Sequence, residues 1–152
     1  MGRREDLREI DAALMRVGRI GRGRAATRLR SEVSGVELTN AAAGILGALH
    51  QSGPLRAAAL AEAADTEPPL VSRELRGLEA DGLVTVEPDP NDGRARIVAL
   101  TPDGADAYQR FRDAADRITA HAFRAWSDED VALLRQLVHR VVTDFAATGR
   151  PD

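Results

Sequence analysis

The chain has 152 residues, 43% of them hydrophobic but only 3% aromatic, with no cysteine and a formal net charge of −3. That length supports one core built from Leu, Val, Ile and Ala packed between helices, and the lack of cysteine excludes a disulfide scaffold, a thiolate metal site and a thiol redox switch within the chain. No apolar run approaches the ~20 residues of a membrane span; the amphipathic start, MGRREDLREIDAALMRV, lacks the apolar core and cleavage site of a secretory signal. A cytoplasmic protein without membrane contact is expected.

Leu7, Ile10, Leu14 and Val17 recur at helical spacing and predict a first helix over residues 3–20. Gly18, Gly21 and Gly23 weaken the pattern and predict a kink or fraying near 21–23, with helix resuming toward Ser31. The basic run Arg19, Arg22, Arg24, Arg28, Arg30 falls here and reads as a solvated face or a backbone contact. Thr39 is the expected N-cap of a second helix carrying Ile45, Leu46 and Leu49, stopped by Gly53-Pro54. A short third helix over 56–63 turns Leu60 inward. After the turn Ala64-Asp65-Thr66, a fourth helix runs over 67–80, capped by Thr66, with Pro68 or Pro69 in its first turn and Gly82 at its end.

Strands are expected over 83–87 and 96–101, joined by a turn made of Pro88, Pro90, Asn91, Asp92 and Gly93. Thr101-Pro102-Asp103 opens a long helix whose stripe is Tyr108, Phe111, Ala115, Ile118, Ala122 and Ala125. Ser127-Asp128-Glu129-Asp130 caps the last helix. Its stripe is Val131, Leu134, Val138, Val141 and Phe145, and Gly149 and Pro151 end it. Neither stripe can be buried by its own helix, so a bundle completed by a second chain is expected, against the plainer reading of an internal core.

All 21 basic residues are Arg, and their placement is uneven. Residues 1–30 hold nine Arg and four acids, a balance of +5; residues 54–100 hold five Arg and nine acids, a balance of −4. A nucleic-acid contact from this second stretch needs a few well-placed guanidiniums, because no broad basic field exists. On a helical wheel of residues 67–80, Val71, Leu75 and Leu78 share the inward face. Pro69, Arg73 and Arg76 lie opposite, with Ser72 near them and Leu70 flanking. Such a face suits a major groove: Arg grips guanine, Ser meets phosphate or base, and an aliphatic tip meets a thymine methyl. It is also what an ordinary solvated face offers if Arg73 and Arg76 pair with Glu74, Glu79 or Asp81. At the hairpin tip, Asp92 is expected to hold the Arg94 guanidinium, which projects in a shape suited to a minor groove, with Arg96 on the same face for phosphate.

Leu38-Thr39, Gly53-Pro54-Leu55, Leu60-Ala61-Glu62, Val71-Ser72-Arg73, Leu78-Glu79, Gly82-Leu83-Val84, the DPNDGRA tip and Leu100-Thr101-Pro102-Asp103-Gly104 together resemble the MarR family of bacterial transcription regulators. The resemblance covers residues 38–104 closely. It implies a mostly α fold with a small β wing, a winged helix-turn-helix over 38–101 flanked by helical dimerisation segments at 1–37 and 102–152. It implies a homodimer on a palindromic operator in double-stranded DNA, acting as a repressor, often released by a small aromatic ligand. The DNA-binding set it implies is Pro69, Leu70, Ser72, Arg73, Arg76, Asp92, Arg94 and Arg96. For an effector, Met15, Arg16, His50, Tyr108 and Arg112 are candidates. Glu67, Leu70, Val86, Glu87 and Gly93 depart from the family's usual polar or basic residues, so modest, salt-sensitive binding is expected.

No catalytic, cofactor or metal site is expected. His50, His121 and His139 lack ligand spacing, and there is no glycine-rich phosphate loop. The rival reading is a winged helix that contacts protein and binds no DNA, which the acidic balance of 54–100 favours.

Overall fold

The computed structural model describes residues 2–148. The chain divides into two compact units, with the boundary between Ala115 and Asp116. The expected end of the last helix, at Gly149 and Pro151, lies outside the described residues. No helix among the described residues is long and apolar enough to cross a membrane.

In the first unit, Arg3–Arg22 forms α1 and Arg24–Ser34 forms α2. The glycine-weakened stretch becomes a break at one residue, Gly23, whose backbone is extended. Arg30 braces the break: its guanidinium donates to the Gly21 carbonyl and to Asn40 Oδ1, both at 2.9 Å. The helix resumes at Arg24, passes Ser31 and runs to Ser34, closed by Gly35. No residue of α1 is buried.

Asn40–Ser52 forms α3, and Thr39 caps it as expected, its Oγ1 accepting the Ala42 N–H at 3.0 Å. Leu55–Arg56 forms β1, Ala57–Ala63 forms α4 and Pro68–Ala80 forms α5. The cap of α5 differs from expectation. A residue before proline is driven to extended backbone, so Glu67 (φ −63°, ψ 137°) becomes the N-cap, without a side-chain cap bond. Thr66 instead donates its hydroxyl to the Ala64 carbonyl at 2.9 Å. At the other end Gly82 takes the left-handed conformation (φ 71°), and the Leu83 N–H reaches back to the Leu78 carbonyl at 2.8 Å.

Val84–Asp89 forms β2 and Asp92–Leu100 forms β3, so the hairpin is longer than expected and Pro88, Asp92 and Gly93 lie in strands. The sheet is antiparallel with order β1-β3-β2. Pro88 is tolerated because β2 is an edge strand. Pairing runs from Val84↔Leu100 to Pro88↔Arg96 and then jumps to Asp89↔Asp92, leaving Gly93, Arg94 and Ala95 with no residue opposite.

Ile45, Leu46, Leu49, Leu60 and Val98 are fully buried, and Val71, Leu75, Leu78, Val84 and Phe111 close round them. Each such aliphatic side chain stabilises the fold by about 1.5–3 kcal/mol on burial. Pro102–Ala122 forms α6. Its start is tied to the hairpin: Thr101 donates its hydroxyl to the Gly82 carbonyl at 2.7 Å and accepts the Gly104 N–H at 3.0 Å. A Cβ on Gly104 would run into the Leu83 carbonyl, so only glycine permits this close approach. The buried stripe of α6 is Gly104, Ala107, Tyr108, Phe111 and Ala114. Ala115 and Ile118 are half-buried, Ala122 is exposed, and Ala125 lies beyond the helix end.

The second unit holds the end of α6 and α7, Asp128–Ala147. Ser127 caps α7 by accepting the Asp130 N–H at 3.1 Å. Phe123 and Trp126 meet edge to face in the connection. Of the expected stripe, Leu134 and Val141 are half-buried, while Val131, Val138 and Phe145 are exposed.

Candidate nucleic-acid interface

Two groups of side chains carry the candidate chemistry, one on α5 and one on the hairpin. Val71, Leu75 and Leu78 anchor α5 in the core as their spacing predicts. That fixes the opposite face outward: Pro69, Ser72, Arg73 and Arg76 are exposed and Leu70 is half-buried. Arg73 Nη2 lies 4.0 Å from Glu74 Oε1 with its side chain 75% exposed, a contact too loose to hold it. Arg76 Nε donates to the Ser72 carbonyl at 3.3 Å, and the Ser72 hydroxyl donates to the Pro68 carbonyl at 3.2 Å. Both guanidiniums therefore remain available to an outside acceptor, and the Ser72 oxygen keeps accepting capacity.

On the hairpin the expected Asp92–Arg94 guanidinium pair is replaced by a local turn. Asp92 Oδ1 accepts the backbone N–H of Arg94 at 3.1 Å, as short acidic side chains do two residues ahead. This leaves the Arg94 guanidinium free to project from the unpaired 93–95 segment. Arg94, Arg96 and Asp92 line a single cleft of about 460 Å³, together with Arg56.

Arg56 and Asp89 were not singled out by sequence reasoning. Asp89 is buried, 4% exposed, although it sits at the tip of a surface hairpin. One carboxylate oxygen receives Arg56 Nη2 at 2.7 Å and the other the Asn91 N–H at 2.8 Å. The Asn91 N–H, outweighing the opposing effect of burial, and then the Arg56 guanidinium lower the Asp89 carboxyl below its ordinary value. This pair fastens β1 to the tip of the hairpin. No local pattern reveals it, since the partners meet only through the β1–β3–β2 register.

A sequence profile of the MarR family matches residues 36–95, which contain α3, β1, α4, α5 and the hairpin through Ala95. Residues 36–95 belong to the MarR family. No curated protein matches the chain. Among solved structures, a MarR family transcription regulator superposes with a TM-score of 0.78 at 20% identity, over 93% of this chain and 91% of its own. A cysteine-to-serine mutant of MarR from E. coli, solved with operator DNA, gives 0.69 at 20% identity over 93% and 99%. BpsR from Bordetella bronchiseptica, whose DNA binding is regulated by 6-hydroxynicotinic acid, gives 0.60 at 26% identity over 84% and 98%. The fold is thus the mostly helical MarR winged helix with a small three-stranded antiparallel wing.

Within this MarR winged helix the departures differ in consequence. Val86 packs against the core, so it removes no exposed contact. Glu67 and Glu87 are exposed and add negative charge beside α5 and the wing. Gly93 is exposed with open space around it, leaving Arg94 as the lone cation of the tip. Among the effector candidates, Tyr108 is a core residue, lying against Gly47 and 5.2 Å from the His50 ring. Met15, Arg16 and Arg112 are exposed. Among the described residues no cluster of three or more His, Asp or Glu could hold a metal ion.

Proposed function

We propose that this protein is a DNA-binding transcriptional regulator, a repressor acting as a homodimer on a palindromic operator. Residues 38–101 form the reading lobe, and 1–37 with 102–152 form the dimerisation lobe. The carrying observation is the outward face of α5, where the exposed guanidiniums of Arg73 and Arg76 keep donors available beside Ser72, Pro69 and Leu70. In this reading α5 enters the major groove, Arg94 the adjacent minor groove, and Arg96 and Arg56 meet phosphate. The operator complex of the E. coli relative supports it. Exposed apolar stripes on α1 (Leu7, Ile10, Val17) and α7 (Leu133, Leu137, Val138, Phe145) support a second copy as their cover. A small aromatic effector is carried over from the regulation of BpsR by 6-hydroxynicotinic acid.

The second reading, a winged helix for protein contact, is favoured by the balance of −4 over residues 54–100. A gel shift on DNA upstream of the protein's own gene, at two salt concentrations, separates them. A shift that fades with salt supports the regulator; no shift at low salt favours the rival.

A further inference from the structure

A second arginine-lined cleft lies away from the wing, and nothing in the DNA reading uses it. It has a volume of about 470 Å³ and sits where the α1–α2 break faces the start of α3. Arg22 ends α1, and Arg24 and Arg28 follow on α2. All three are exposed, and none has an ion-pair partner among the described residues. Across from them stand Glu37, Thr39 and Asn40. The Asn40 oxygen is already occupied by Arg30 at 2.9 Å, so its amide N–H groups remain as donors. Three guanidiniums and one carboxylate leave two positive charges uncompensated.

We propose that this cleft is a regulatory site for a small phosphorylated polyanion, coupled to α5 through Thr39 and Glu74. Guanidiniums match phosphate oxygens in charge and geometry. The volume admits a ligand up to mononucleotide size. Glu37 offsets only one of the three guanidiniums, and the two positive charges left over favour a multiply charged anion over a monoanion. The route to α5 is short. Thr39 donates its hydroxyl to Glu74 Oε2 at 3.0 Å, and the other oxygen of Glu74 lies 4.0 Å from Arg73 Nη2. A phosphate that takes the Thr39 hydroxyl proton as a hydrogen bond releases Glu74, which then closes on Arg73 and neutralises a groove-facing charge. Binding at the cleft is independent of the regulator reading; its effect on DNA rests on that reading.

The test titrates the full chain with inorganic pyrophosphate by calorimetry, without DNA and at constant ionic strength. The parent binds, Arg24→Gln/Arg28→Gln weakens binding by about tenfold or more, and the control Arg4→Gln/Arg8→Gln stays within about twofold. Hydrogen exchange over residues 72–76 responds to pyrophosphate in the parent but not in Glu74→Ala. Equal binding by the parent and Arg24→Gln/Arg28→Gln, or no binding by the parent, overturns the site. An unchanged exchange pattern over 72–76 overturns the coupling. If Arg24→Gln/Arg28→Gln weakens DNA binding in the absence of pyrophosphate, the cleft holds backbone phosphate and the regulatory proposal is overturned. If pyrophosphate binds and shifts α5 while no DNA fragment binds, the site stands and the regulator reading falls.

Discussion

Gly93→Arg places a second cation at the wing tip. The position accepts it: a Cβ there meets nothing within 4 Å, and the backbone is not in the left-handed region that only glycine favours. Residues 93–95 have no partner on β2, so a new side chain disturbs no ladder bond. In a dimer the change adds two guanidiniums. If each neutralises one phosphate, the slope of log affinity against log salt steepens by about 1.8. Between 1 M and 0.1 M monovalent salt that corresponds to about a 60-fold relative gain. Fluorescence anisotropy of a labelled operator fragment, read over a salt series, measures the slope directly. Thermal unfolding should stay within about 3 °C of the parent, since nothing is displaced. An unchanged slope with an intact fold would refute the placement of the wing tip against phosphate.

Asp89→Asn should loosen the wing and flatten the acid limb of the stability curve. The folded-state pKa of Asp89 is lowered, so its contribution is complete above the unfolded value of about 3.9 and disappears as pH falls through the lower folded value. Melting of parent and variant should differ at pH 7 and converge in acid; a constant gap down to the lowest pH contradicts the assignment. Gly104→Ala should destabilise the chain by about 2–3 kcal/mol, because the new methyl meets the backbone carbonyl of Leu83. Denaturant unfolding checks it, and a neutral result would mean that α6 can pull away from the hairpin at no cost.

Much of this fold is local and therefore legible. Thr39 and Ser127 announce their helices by hydroxyl caps, and both cap as expected. Val71, Leu75 and Leu78 fix the outward face of α5 by spacing alone. What escaped the sequence depends on partners far along the chain. Two residues are too few for β1 to show alternation, and it exists only because β3 lies beside it. Asp89 looks like one more exposed acid until the register brings Arg56 to it. The stripe on α6 shifted to Ala114 because its neighbours are α3 and the wing, which heptad spacing cannot name. Thr66 loses the cap to Glu67 because the proline that follows Glu67 outweighs the hydroxyl's capping preference.

In the proposed function Arg73 on α5 reads bases and Arg94 on the wing holds the duplex. Selecting bound fragments from genomic DNA with the parent, Arg73→Ala and Arg94→Ala tests it most directly. Arg94→Ala should weaken all sites alike and lower the salt slope. Arg73→Ala should cost about 1–3 kcal/mol at its cognate base and broaden the recovered sequence. If both variants recover the parent's fragments with the parent's affinity, neither arginine is at the DNA and the account is wrong.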